Sequence, residues 1–132
     1  MTEDMPEFDN WKDAWDWHAR QAALGFSTKS EDELLAKIQA RAYDMHFQVW
    51  RALAACGTLE KSPPVLLEVL RREVGESRML TRYHCARALF RLLGYPDEPM
   101  PELREQVQWD HEGEVARQAA IDRLEALIRE RL

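Results

Sequence analysis

The stretch Ser62–Gly94, "SPPVLLEVLRREVGESRMLTRYHCARALFRLLG", decides the fold. It opens on Ser62, a residue that caps helices, followed by Pro63, whose fixed φ suits the first helical position. The segment "VLLEVLRREV" then runs to Gly75, a helix stop. Ser77 is the expected cap of a second helix, "RMLTRYHCARALFRLL", which stops at Gly94. On that second helix Met79, Tyr83, Ala86, Leu89, Phe90 and Leu93 recur at gaps of three and four, which is the helical period. They form the predicted core stripe. His84, Arg87 and Arg91 fall opposite it, together with Leu80. The stretch therefore reads as two helices joined by a tight turn.

The same pattern recurs on either side. "FQVWRALAACG" (47–57) and "YHCARALFRLLG" (83–94) each place an aromatic residue before Arg-Ala-Leu and end on glycine. Arg51-Ala52-Leu53 and Arg87-Ala88-Leu89 lie 36 residues apart, and Leu124, in "RQAAIDRLEALI" (117–128), lies 35 beyond Leu89. A period of this size with two helices per unit is the signature of a helical repeat. Residues 62–94 resemble a HEAT-like repeat, with a proline-initiated first helix, a short turn and an Arg-Ala-Leu second helix ending on glycine. The usual Asp-x-x-Val-Arg opening of that second helix is echoed only by Glu76-Ser77-Arg78-Met79. The resemblance covers about three units, at 31–57, 62–94 and 101–131. It implies an all-α fold: antiparallel helix pairs stacked as a short HEAT-like α-solenoid, with an N-terminal capping helix at 10–25. An ordinary helical bundle with chance similarities is the alternative.

Other helix punctuation agrees with an all-α chain. Asn10 is an expected N-cap for a helix ending near Gly25. Ser30 and Glu33 form a capping box. From there Leu34, Leu35, Ile38, Ala42, Met45, Val49, Leu53 and Cys56 keep the helical period up to Gly57. The 31–56 segment is one long helix or two with a bend near Tyr43–Asp44. "YPDEPMP" (95–101) reads as a loop, followed by a short helix at about 102–109 and, capped by Asp110, a last helix at about 112–131. Residues 1–9 are expected to be a flexible N-terminus. No segment alternates with period two, so no strand is predicted.

The 132 residues suit one domain, and 45% hydrophobic with 32% charged residues is a globular composition. Cys56 and Cys85 sit in apolar helical surroundings and are expected to be buried thiols. The acidic start "MTEDMPEFD" is unlike a secretory leader, and no apolar run reaches the roughly 18 residues of a membrane span. The expectation is a cytoplasmic protein. A net charge of −6 argues against general nucleic-acid binding, which depends on neutralising phosphates. The charge is nevertheless uneven. Residues 71–91 carry Arg71, Arg72, Arg78, Arg82, Arg87 and Arg91 against only Glu73 and Glu76.

The segment "DNWKDAWDWHAR" (9–20) sets three tryptophans within seven residues. At about 100° per residue, Trp11, Ala14, Trp15, His18, Ala19 and Ala22 share one stripe. Trp11 and Trp15 are thus expected to cover the open end of the repeat stack. Trp17 lies off that stripe, so it packs on a second neighbour or stands exposed beside Asp13 and Asp16. An exposed Trp among acids has the character of an interface anchor.

No nucleophile elbow, phosphate loop or cofactor motif is present, so neither catalytic residues nor a cofactor are expected. The histidines, His18, His46, His84 and His111, have no metal-ligand spacing, and no metal is expected. His46 is expected to be a core histidine bonded to a backbone carbonyl. In HEAT-like folds the second helix of each unit lines the concave face, so the resemblance places His84, Arg87 and Arg91 in a groove; a solvated face is the other reading. The candidate partner-binding residues are therefore Asp13, Asp16, Trp17, His84, Arg87 and Arg91. The function expected from them is a non-enzymatic protein-binding module, an immunity- or antitoxin-type inhibitor that blocks a toxin or effector. The alternative is a HEAT-like nucleic-acid-binding or DNA-repair protein of glycosylase type. A homodimer is left open.

Overall fold

In a computed structural model, residues 7–94 and 101–131 are described. The expected 95–101 loop, apart from Pro101, and most of the expected flexible N-terminus lie outside them. The described residues form seven α-helices, α1 (Trp11–Ser27), α2 (Glu31–Gln39), α3 (Gln48–Cys56), α4 (Ser62–Arg72), α5 (Met79–Leu92), α6 (Pro101–Gln108) and α7 (Glu114–Arg131), with a single 3₁₀ turn at Glu76–Arg78. Among the described residues there is no strand, and no helix is long and apolar enough to cross a membrane.

Local chemistry explains most of the boundaries. The Asn10 side chain accepts the Asp13 N–H at 2.9 Å, and α1 runs through Gly25 to Ser27, two residues past the expected stop. At α2 the Ser30 Oγ accepts the Glu33 N–H while the Ser30 N–H donates to Glu33 Oε1, so both halves of the capping box form. The 31–56 segment is two helices. Asp44 breaks it, because its carboxylate accepts the N–H groups of His46, Gln48 and Val49 at 2.8–3.1 Å and so starts α3. Arg41 and Phe47 both take φ +59° around this turn, a left-handed conformation that non-glycine residues rarely adopt. The interruption changes which residues are buried. Leu34, Leu35, Ile38, Val49 and Leu53 are buried as expected, but Ala42, Met45 and Cys56 are exposed.

Three expected caps do other work. Ser62 is the first residue of α4 rather than its cap, and its hydroxyl donates to Glu31 Oε2 at 2.6 Å, joining α4 to α2. Gly57 ends α3 through close approach: a Cβ there would stand 2.7 Å from Ser62 Oγ and 2.8 Å from the Leu53 carbonyl oxygen. Ser77 lies inside the 3₁₀ turn, and α5 begins at Met79 without a side-chain cap. Asp110 lies four residues ahead of α7 and faces Arg82 at 4.0 Å.

The helices form two rows. α2, α4 and α7 are successive neighbours in one, and α1, α3, α5 and α6 in the other. The pairs α2/α3 and α4/α5 stack like on like. The last pair enters exchanged, with α7 beside α4 and α6 beside α5. Side chains hold α7 there: Arg71 of α4 pairs with Asp122 and Glu125, and Gln118 donates to the Arg71 carbonyl. Between the rows lie Leu34, Ile38, Leu53, Leu66, Leu70, Leu89, Val107 and Ile121, all 0% exposed. Each such side chain contributes about 1.5–3 kcal/mol relative to an exposed one. α5 is enclosed beyond its predicted stripe, since Arg82, Cys85 and Ala88 are buried as well. Met79 and Tyr83 of that stripe are half-buried. The Cys85 thiol meets the Leu66 carbonyl at 3.3 Å, and both cysteines are free.

Candidate functional site

Two surfaces combine unsatisfied chemistry with exposure. The first is the N-terminal half of α1, a helix in which no residue is fully buried. The helix lies beside α3, and Ala23 and Phe26 of its C-terminal half line a shared concavity with Ala52 and Ala55. The N-terminal half leaves its rings open: Trp11 is 80% exposed and Trp15 42% exposed, beside Met45 at 69%. The expectation that Trp11 and Trp15 close the stack is corrected accordingly. The two tryptophans, with Ala14, His18, Met45 and His46, line a shallow concavity. Trp15 meets His46 edge-on, with centroids 4.2 Å apart. His46 is buried, yet its Nδ1 has no hydrogen-bond partner among the described residues, unlike the carbonyl-bonded core histidine expected. The helix break explains this, because it moves His46 from a helical core position to a turn beneath Trp15.

Trp17 takes the second-neighbour alternative. It is half-buried, 5.9 Å from the Phe8 ring and 4.9 Å from His18. Asp13 and Asp16 are exposed, and Asp13 also meets the Asn10 amide at 3.4 Å. The wheel set Trp17 apart from the stripe of Trp11 and Trp15, but the exposure it led one to expect of the three rings is not the exposure found.

The second surface is a groove of about 240 Å³ between α3 and α5, lined by Trp50, Arg51, Ala54, Tyr83, His84, Arg87, Ala88 and Arg91. His84, Arg87 and Arg91 thus come together, well apart in sequence from Asp13, Asp16 and Trp17. Ala54 and Ala88, one from each helix, provide small side chains along the trough. Arg87 Nη1 donates to the Tyr83 hydroxyl at 2.6 Å, and its guanidinium lies 5.5 Å from the Tyr83 ring centroid. His84 stacks on Phe47 at 3.9 Å, with planes 14° apart. Phe47 holds its left-handed backbone under this ring. Arg51 also lines the groove and is not among the residues expected from sequence. Its signal lay in the 36-residue spacing of the two Arg-Ala-Leu segments, which the structure sets on the neighbouring helices α3 and α5.

The groove is electropositive. No carboxylate among the described residues lies within ion-pairing distance of Arg51, Arg87 or Arg91. The four earlier arginines of the 71–91 run are committed elsewhere. Arg71 binds Asp122 and Glu125, Arg72 and Arg78 face Glu73, and Arg82 is buried on backbone carbonyls. What reads in sequence as a basic run is therefore mostly internal structure. Burial pushes His84 down to about 4, with Arg51 and Arg87 adding to the effect and Asp44 opposing it.

A pH dependence follows. The folded-state value of His84 lies below the ordinary value of about 6.5, so the unfolded chain takes up the proton first. Its contribution is complete above about pH 6.5 and is lost as pH falls towards 4. Because the ring is partly exposed, screening reduces the effect to about 1–2 kcal/mol. Urea unfolding of wild type and His84→Gln should diverge in slope between those pH values. Parallel stability curves would refute it.

A concavity of about 500 Å³ between α6 and α7 carries mixed charge. Glu105 and Glu112 line it with Arg117 and Arg123, Arg117 is engaged by Glu114, and Arg123 by Gln106. Among the described residues no three His, Cys, Asp or Glu side chains gather to hold a metal ion. Set against known protein families, characterised proteins and solved structures, the chain matches none of them.

Proposed function

We propose that this chain is a non-enzymatic protein-binding module of the immunity or antitoxin type, an inhibitor that docks on a partner protein and blocks it. The observation that carries the reading is the open tryptophan face of α1, where Trp11, Trp15 and Met45 stand exposed in a chain with ample polar surface. Tryptophan and methionine are enriched at interface centres, and contiguous exposed apolar rings on a soluble surface mark contact sites. Asp9, Asp13 and Asp16 make the α1 segment acidic, so its field would steer a basic partner toward this end of the molecule. The two-row arrangement of α2–α5 fits a short HEAT-like stack with α1 as its cap, and we read it so. Four of the six arginines in the 71–91 run are internally committed, which weighs against the nucleic-acid alternative.

The test begins with capture from the source organism's lysate by tagged protein, identification by mass spectrometry, and reconstitution with the purified candidate. The Trp11→Ala, Trp15→Ala double variant is expected to weaken that complex by about 2–4 kcal/mol. Reversing Asp13 and Asp16 to lysine should slow association at low salt. Unaltered affinity and on-rate would sink the reading. Light scattering showing a wild-type dimer that the double variant converts to monomer would replace the foreign partner with a second copy.

A further inference from the structure

We propose that the groove between α3 and α5 is a second binding site, which takes a carboxylate-bearing peptide segment held by Arg51, Arg87 and Arg91. The proposal shares the protein-binding reading but not its face, and it stands or falls on different residues.

The donors and acceptors of the groove indicate the ligand. Arg51, Arg87 and Arg91 bring only N–H donors, and none has a carboxylate partner among the described residues. Trp50, 2% exposed, lines the groove and carries an indole N–H with no hydrogen-bond partner among the described residues. The phenol of Tyr83 is already an acceptor for Arg87. The nearby carboxylate, Asp44, is consumed by three backbone N–H groups at the start of α3. A site so rich in donors and so poor in acceptors complements an anion with several lone pairs. That all three cations are arginines favours planar, two-point recognition of a carboxylate. Arg87 is held in advance by the Tyr83 hydroxyl, which lowers the ordering cost of binding.

Extended nucleic acid fits less well. Its affinity grows with the number of phosphates neutralised along a continuous basic track. Here the basic groove is short, and the neighbouring helix α1 carries exposed Asp13 and Asp16, which would repel a polyanion leaving the groove. A peptide can place one or two carboxylates in the trough and turn away.

The experiment uses the full chain and three fluorescent probes: a glutamate-alanine decapeptide, its glutamine-alanine counterpart and a short oligodeoxythymidine. In anisotropy titrations the glutamate peptide is expected to bind and the glutamine peptide to fail. Arg87→Glu and Arg91→Glu, both at exposed positions and checked for folding by circular dichroism, should each weaken binding by at least about tenfold. Arg129→Glu, the same charge change on α7, should alter it by less than about twofold. Saturating glutamate peptide should also raise the NMR titration midpoint of His84. The bound carboxylate would offset Arg51 on α3 and Arg87 on α5, which together outweigh Asp44. No binding, equal binding of the glutamine peptide, or equal weakening by Arg129→Glu would overturn the proposal. Tighter binding of the oligonucleotide through the same arginines would replace it with a nucleic-acid site. Because no natural partner is needed, these outcomes are independent of the tryptophan-face test.

Discussion

Arg82→Met is expected to lower folding stability by about 3 kcal/mol, with a fall in Tm on the order of 10 °C for a chain of this size. Arg82 is 0% exposed and donates to three carbonyls, those of Gln108 at 2.8 Å, Glu73 at 3.1 Å and Gly75 at 2.7 Å. Glu73 caps the end of α4, and Gln108 is the last residue of α6. The guanidinium therefore serves orphaned carbonyls at two helix ends and meets the negative ends of both dipoles. Arg117, also buried, repeats the arrangement on the carbonyls of Leu70, three residues before Glu73, and Val107, the residue before Gln108. The two cations repel each other, and burial with Arg117 nearby pulls the Arg82 pKa below its usual range. Methionine relieves that repulsion and the desolvation of the charge, which favours the variant. It also strips this donor from the buried Gln108 and Glu73 carbonyls, at about 1–3 kcal/mol each, while the Gly75 carbonyl keeps the Arg78 N–H, and this greater loss decides the sign. Arg117→Met should destabilise for the same reason, and the double variant should lose more than the sum of the singles, since each single already relieves the shared repulsion and the double can relieve it only once. Urea unfolding measures all three. An Arg82→Met protein as stable as wild type would mean that water reaches these carbonyls and that the clamp is dispensable.

Much of this architecture was legible in the residues. The helical period along 62–94, the Ser30–Glu33 box and Asn10 specify local structure through interactions only a few positions apart, and the structure retains them. The core stripe of α5 was legible for Ala86, Leu89, Phe90 and Leu93 for the same reason. Arg82 was not. On a helical wheel it reads as one more surface arginine, and only the convergence of the α4 and α6 ends supplies its carbonyl partners. The 40–47 break was open in sequence because no Gly or Pro marks it; Asp44 makes it by capping α3 from three residues before the cap position. The candidate groove was partly legible. His84, Arg87 and Arg91 share one helix face, which periodicity shows, whereas Arg51 joins them only through the stacking of α3 on α5. The open tryptophans were misassigned because exposure depends on what the neighbouring segment leaves uncovered, and no periodicity reports that.

Glu73→Gln is expected to destabilise the fold by about 2–3 kcal/mol and to loosen the 40–47 turn selectively. The Glu73 carboxylate is 3% exposed and accepts from the Tyr43 hydroxyl at 3.2 Å. Arg41, Arg72 and Arg78 approach it at 3.3–3.5 Å. Their contributions differ. Arg41 and Arg78 are more than half exposed and can turn to water, so their pairs contribute little. Arg72 is 17% exposed, donates to the Ile38 carbonyl at 2.6 Å and to Tyr43 at 2.9 Å, and would keep a largely buried charge with only the exposed Glu68 carboxylate, at 3.6 Å, as counter-ion. The loss therefore falls on the Glu73–Arg72–Tyr43 unit, which ties the end of α4 to the end of α2 and to the turn after it. That turn carries Met45 and His46 beneath the tryptophan face and Phe47 beneath His84 in the groove. Glu73, which lines neither surface, thus positions one edge of both. Hydrogen exchange should show the amides of His46, Gln48 and Val49 losing protection in Glu73→Gln by more than the global change, while the interior of α7 follows the global change alone. Uniform loss across the chain would mean that Glu73 only stabilises the fold. Unchanged stability with unchanged exchange would mean that the surrounding arginines find equivalent partners in water, and that Asp44 alone holds the turn.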